Sequence, residues 1–208
     1  GSTPTTLLLS SVLENVKIPV VAAGGFRDGS GLAASLAWGA SGIAMGTRFM
    51  MTEESPVPHK TKKAYLSADI ENIKITKKFD GMSHRLIFND YIAKIDRSNP
   101  FSLFIISITS AWKYKQLTKS SYLDLMTSVF AMLKGDDLTI SQSVMSANSP
   151  AIIQKAMVEG SPDEGAMPSG QVAGLISNLP TCKDLIDQIM KEFSFAAANF
   201  KKIEKDSS

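Results

Sequence analysis

Ile18–Phe26 reads IPVVAAGGF, in which three β-branched residues and two alanines run into the adjacent glycines Gly24 and Gly25. A short apolar run that is continuous rather than alternating is the pattern of a strand covered on both faces, as in a parallel sheet. Glycines at its end expose bare backbone N–H groups, and an anion can approach them closely because no Cβ stands in the way. Upstream, TTLLLSSVLENV carries Leu8, Val12 and Leu13 at helical spacing, with Leu9 and Val16 nearby, after a start rich in Ser, Thr and Pro. Downstream, DGSGLAASLAWGA reads as a helix that begins near Asp28 to Ser30 and ends at Gly39. SGIAMGTRFMM then reads as a second buried strand, which again meets a glycine, Gly46. Helix, strand, helix, strand with short links predicts a parallel α/β fold.

Two strands do not make a parallel sheet covered on both faces, so the pattern predicts a piece of a larger one. A (β/α)₈ TIM barrel takes roughly 250 residues, and residues 1–66 supply about its last quarter. The expected organisation is therefore the C-terminal part of such a barrel, completed by an N-terminal barrel half outside this sequence. A mostly helical second domain over residues 67–200 follows. SYLDLMTSVFAMLKG, PAIIQKAMVEG and KDLIDQIMKEFSFAAANF show apolar residues three and four apart, separated by Gly, Pro and Ser/Asp clusters. Residues 201–208, KKIEKDSS, read as a solvated tail.

The bulk numbers narrow the function. With 44% hydrophobic and 20% charged residues, the 208-residue chain has a globular composition rather than a disordered one. Its net charge of +2 gives no electrostatic footprint for nucleic acid or an anionic membrane, which leaves a small molecule as the expected partner. The one cysteine, Cys182, excludes an intrachain disulfide, and no CxxC or Cys/His cluster offers a metal site, so a cytoplasmic setting is expected. The most apolar stretch, FSLFIISITSAW, falls short of the ~20 residues of a spanning helix and reads as a core or interface helix.

Candidate site residues come from the ends of the two strands. Gly24 and Gly25 end one, Met45, Gly46 and Thr47 end the next, and the loops after neighbouring barrel strands frequently build a phosphate site. A single Gly-Gly serves equally as a tight turn, whereas two glycine-ended strands in tandem favour an anion cradle, open to any of several phosphorylated ligands. His59 and His84, the only histidines, read as hydrogen-bonding or surface residues. Arg48 is placed either to meet phosphate or to pair with a carboxylate such as Glu53, and stays outside the site. Cys182 at a helix start reads as structural, and the Met and aromatic residues of Tyr122 to Leu133 as core or as the lining of an acyl pocket.

AAGGF, then DGSGLAASLAWGASGIAMGTRFMMTEES with His59 just after it, resembles the nitronate monooxygenase, or 2-nitropropane dioxygenase, family of FMN-dependent barrels. The resemblance continues in KFDGMSHRLIFND and in AMPSGQVAGLISNLPTCKDLIDQIM, and so spans most of the chain. It implies FMN phosphate contacts at Gly24, Gly25, Met45, Gly46 and Thr47, and a place near the flavin ring for Gln171. It also implies that the family's histidine precedes the helix with which this chain opens, so no residue here is assigned as catalytic. The family activity is oxidation of alkyl nitronates with oxygen. DGMSHR, MSANSP and SGQVAGLISNLPTC are similar to a branch that includes NAD(P)H-dependent reductases of unsaturated acyl-CoA intermediates of steroid-ring breakdown, which would add a nicotinamide cofactor. Two other readings of the residues remain: a non-catalytic phosphate-binding half barrel completed by another chain, and a barrel for a phosphorylated metabolite; a homo-oligomer is a further expected partner arrangement.

Overall fold

A computed structural model describes residues 3–79, 82–99, 102 and 140–206. The chain forms two compact units, Gly1–Pro56 with Gly170–Ser208, and Val57–Ser169.

In the first unit, helix α1 (Thr5–Asn15) leads into strand β1 (Val21–Ala23), helix α2 (Gly29–Ala37), strand β2 (Gly42–Ala44) and the single turn α3 (Thr47–Met50). β1 and β2 pair in parallel, Val21 with Gly42, Ala22 with Ile43 and Ala23 with Ala44. Ala22 is buried with Leu9 of α1, Phe26 and Ala40, and Leu13, Val20, Ile43 and Met45 pack around them. Asp28 caps α2 by accepting from the Gly31 N–H at 2.9 Å, and Gly39 closes it at a φ of 104°, where only glycine is unstrained. After a 3₁₀ turn at Gln171–Leu175, helix α7 (Cys182–Asp206) returns to pack along α2. Gly29 makes that packing possible, since a Cβ there would stand 2.1 Å from the Ile189 carbonyl oxygen.

The second unit carries helix α4 (His59–Leu66), strands β3 (Ile73–Thr76) and β4 (His84–Ile87), helix α5 (Asp90–Arg97) and helix α6 (Ile140–Met157). β3 and β4 form an antiparallel pair, and residues 167–169 run beside β4, with Ile87 N–H donating to the Met167 carbonyl and Ser169 N–H to that of Arg85. Phe79, Leu86, Ile92, Ile95, Ile152 and Ala166 form its core. Pro150 lies inside α6 and has no N–H for the Ser146 carbonyl, which accepts from the Ser149 hydroxyl at 3.0 Å instead.

Several expectations need correction. The stretch SGIAMGTRFMM is a strand only over Gly42–Ala44, and turns helical at Thr47 after Gly46 in the N-cap position. β1 is not covered on both faces: Ala22 is buried while Val21 is 57% exposed, since among the described residues only one side of the strand meets a helix. Leu9 rather than Leu8 anchors α1; Leu8 is 53% exposed. Contacts cluster along different lines from a division at residue 66, because α7 packs on α2 and so groups residues from Gly170 onward with the first unit. Within the stretch expected to be mostly helical, the second unit includes the β3–β4 pair. Helix α7 continues to Asp206, through most of the expected tail. The SYLDLMTSVFAMLKG helix and the FSLFIISITSAW stretch fall almost wholly outside the described residues.

Candidate functional site

Parallel pairing brings the glycine-ended strands to one edge: Gly24 and Gly25 follow Ala23, and Met45 and Gly46 follow its partner Ala44. Gly24 and Gly25 have φ values of 106° and 85°, a region that L side chains rarely enter. Their N–H groups thus turn out of the ladder where a β conformation would have kept them in it. Thr5 fixes this bend by donating its hydroxyl to the Gly24 carbonyl at 3.1 Å. Gly46 has an ordinary φ of −82°, so its backbone alone does not call for glycine. What distinguishes Gly25 and Gly46 is room: a Cβ built on either meets nothing within 4 Å. That open space beside backbone donors fits a phosphate and would be narrowed by any side chain.

Thr47 links this edge to a distant segment. Its Oγ1 accepts from the Gly170 N–H at 2.9 Å, which leaves its own O–H to donate elsewhere. Gly170 must be small here, since a Cβ would lie 3.1 Å from that oxygen. The next residue, Gln171, is exposed and opens the 3₁₀ turn, so five strand-end residues and Gln171 come together in one unit. Arg48, one residue on, is buried and binds Asn178, donating to its carbonyl at 3.2 Å and to its side-chain Oδ1 at 2.8 Å. Neither phosphate nor Glu53 is needed to explain it. Burial holds its pKa below the ordinary value, Arg27 adds in the same direction, and Glu192 opposes them.

Further bonds tie the segment down in sequence order. Arg27 donates to the Leu175 carbonyl, Glu53 N–H to that of Pro180, and Cys182 N–H to the Glu54 carboxylate. A polar cavity of about 180 Å³ lies among Arg27, Arg48, Asn178, Gln188 and Glu192. The N–H groups at the start of α2 are already taken by carboxylates, Gly29 by Glu192 at 2.8 Å and Gly31 by Asp28. Two of the N–H groups at the start of α2 are thus occupied within the chain.

Of the remaining candidates, His59 and His84 belong to the second unit and Cys182 to the first. His59 is the exposed first residue of α4, and His84 meets the Phe79 ring edge-on at 5.8 Å. Cys182 donates its thiol to Thr52 Oγ1 at 3.5 Å. Among the described residues no group of three or more His, Cys, Asp or Glu side chains is placed to hold a metal, and no helix is long and apolar enough to cross a membrane. Sequence reasoning missed Thr5, Gly170 and Asn178. Local spacing carries no signal for partners 19, 123 and 130 residues apart.

Comparison with known proteins identifies the family. The family model described as nitronate monooxygenase matches residues 1–192. A (3aS,4S,5R,7aS)-5-hydroxy-7a-methyl-1-oxo-octahydro-1H-indene-4-carboxyl-CoA dehydrogenase of Rhodococcus jostii is 45% identical over 92% of this chain and 54% of its own length. A probable nitronate monooxygenase of Staphylococcus haemolyticus is 42% identical over 42% of this chain and 25% of its own. The structure of FabK from Thermotoga maritima superposes with a TM-score of 0.67 at 27% identity, over 98% of this chain and 53% of that one. The chain spans about half the length of the curated dehydrogenase it matches.

Proposed function

The chain belongs to the nitronate monooxygenase family, and we propose that the ends of β1 and β2 hold the phosphate of FMN in an oxidoreductase that acts on a CoA thioester. The observation that carries the cofactor is the pair of glycines, Gly25 and Gly46, at one sheet edge with open space where each Cβ would be. In this reading the N–H groups of Gly24, Gly25, Gly46 and Thr47 face the phosphate oxygens, with Met45 completing the loop. The Thr47 hydroxyl, held by Gly170, adds a donor. Gln171 stands next to that contact and reaches toward the ring. Bound flavin supplies electron and hydride transfer; the chain's own residues anchor and orient it. The flavoprotein character of the family and the likeness to a TIM-barrel FabK support a flavin and a barrel setting.

For the substrate, 45% identity over nearly the whole chain to an indene-carboxyl-CoA dehydrogenase outweighs 42% identity over less than half of it to a probable nitronate monooxygenase. This reverses the order in which the sequence alone ranked the two activities. Oxidation of alkyl nitronates with oxygen is the second reading, favoured by the family description. The readings differ in what exchanges electrons with the flavin: a nitronate reduces it directly, while the acyl-CoA reading requires a CoA thioester, with NAD(P)H as the other partner when the thioester is reduced. Anaerobic mixing of the flavin-loaded protein with NADH, NADPH, a polycyclic acyl-CoA and an alkyl nitronate separates them. Flavin bleaching by the nicotinamide or the thioester, and none by nitronate, is expected. Rapid bleaching by nitronate alone would restore the second reading.

A further inference from the structure

Thr5 opens α1 without capping it: the N-cap position is Pro4, and no side-chain cap bond forms there. Its hydroxyl instead reaches 19 residues along the chain and donates to the Gly24 carbonyl at 3.1 Å. That carbonyl belongs to the peptide joining Gly24 to Gly25, which is trans. A trans peptide is planar and directs its C=O and N–H to opposite sides. With the carbonyl turned toward α1, the Gly25 N–H is directed away from it. No acceptor among the described residues takes that N–H, and a Cβ built on Gly25 meets nothing within 4 Å. Nothing else local fixes this orientation. Reversing the peptide changes ψ at Gly24 and φ at Gly25, and glycine takes negative φ as readily as the 85° at Gly25. The reversed peptide would present a carbonyl oxygen where the N–H now points, and that oxygen repels an anion where the N–H attracts one.

We infer that Thr5 is a positioning residue of the phosphate site. By holding the Gly24 carbonyl it keeps the Gly25 N–H available as a donor, and so sets the preference for a phosphorylated flavin over the same ring without phosphate. This role rests on the assignment of FMN to the strand ends, and it is indirect: Thr5 acts through the peptide and not by touching the cofactor. The population of the donor orientation scales the affinity for the phosphate, since only that orientation offers the N–H. One neutral hydrogen bond shifts such a two-state equilibrium by about two- to ten-fold, which sets the size of the effect.

Equilibrium titration of the flavin-free full chain with FMN and with riboflavin, read by flavin fluorescence, tests this in wild type, Thr5→Val and Thr5→Ser. Valine keeps the shape of threonine without the hydroxyl, and serine keeps the hydroxyl. Thr5→Val should bind FMN about two- to ten-fold more weakly with its riboflavin affinity unchanged, while Thr5→Ser matches wild type. In NMR spectra of the flavin-free chain, the Gly25 amide resonance of Thr5→Val should be shifted, broadened or doubled as the peptide turns, a readout that needs no flavin. Wild-type FMN affinity in Thr5→Val, or a Gly25 resonance unchanged from wild type, overturns the inference and leaves the FMN assignment in place. An equal loss for FMN and riboflavin makes Thr5 a brace of the fold alone and also overturns it, as does a Thr5→Ser chain that behaves like the valine variant. A wild-type chain that binds FMN no more tightly than riboflavin removes the FMN assignment itself, and this role of Thr5 with it.

Discussion

Gly25 and Gly46 differ in what they require, and substitution should separate the two. Alanine at Gly25 meets no atom but forces a side chain to a φ of 85°, while alanine at Gly46 meets neither problem in the chain itself. Gly25→Ala should therefore cost stability of about 1 kcal/mol or more, and Gly46→Ala should leave the melting temperature near wild type while weakening flavin retention. Arg48→Met removes two hydrogen bonds to Asn178 and should cost about 2 kcal/mol in urea denaturation. Tyr65 offers a pH test. Its hydroxyl is buried, donates to the Pro168 carbonyl at 2.6 Å, and has its pKa raised above the ordinary 10.0 by burial. The folded state thus keeps a proton that the unfolded state releases. Stability is full below pH 10.0 and declines as pH rises from there through the higher folded value. Tyr65→Phe should abolish this alkaline decline and cost about 1 kcal/mol at neutral pH; denaturation at a series of pH values reads both.

At the scale of elements, α1, β1, α2 and the start of β2 were legible because their signals are local. The Leu8, Val12, Leu13 spacing, the Asp28 cap and the Gly39 stop each act within about one turn, although Leu9 is the residue that α1 buries. The single turn at Thr47–Met50 was hidden in a run of residues that suits strand and helix alike. β3 was readable in part, since Ile73 and Ile75 alternate with lysine and threonine, but the strand is four residues long and, among the described residues, pairs with β4 alone. The strand-end glycines of the site could be found by inspection. Gly170 beneath Thr47 and Asn178 beneath Arg48 could not, because those contacts arise only when α7 docks on α2 and draws the preceding segment with it. The Gly29 contact should be the hinge of that docking. Gly29→Ala places a methyl 2.1 Å from the Ile189 carbonyl and should cost 1–3 kcal/mol or about that. Hydrogen exchange would show the loss as faster exchange in α2 and α7, with α5 and α6 unchanged.

For the whole molecule, a match over residues 1–192 places the chain in one family, while its coverage of about half of the Rhodococcus jostii relative leaves the complete reaction to be proposed. Both activities under consideration need the same anchor, so the account stands or falls first on how the flavin is held. FMN and riboflavin share their ring and differ in the phosphate, which isolates the part assigned to Gly24, Gly25, Gly46 and Thr47. The direct measurement is gel filtration of the purified protein with each compound, for wild type and Gly46→Val, with bound flavin read by absorbance. The account predicts that wild type retains FMN and releases riboflavin, and that Gly46→Val releases both. Equal retention of riboflavin and FMN by wild type, or a full complement of FMN on Gly46→Val, would contradict it.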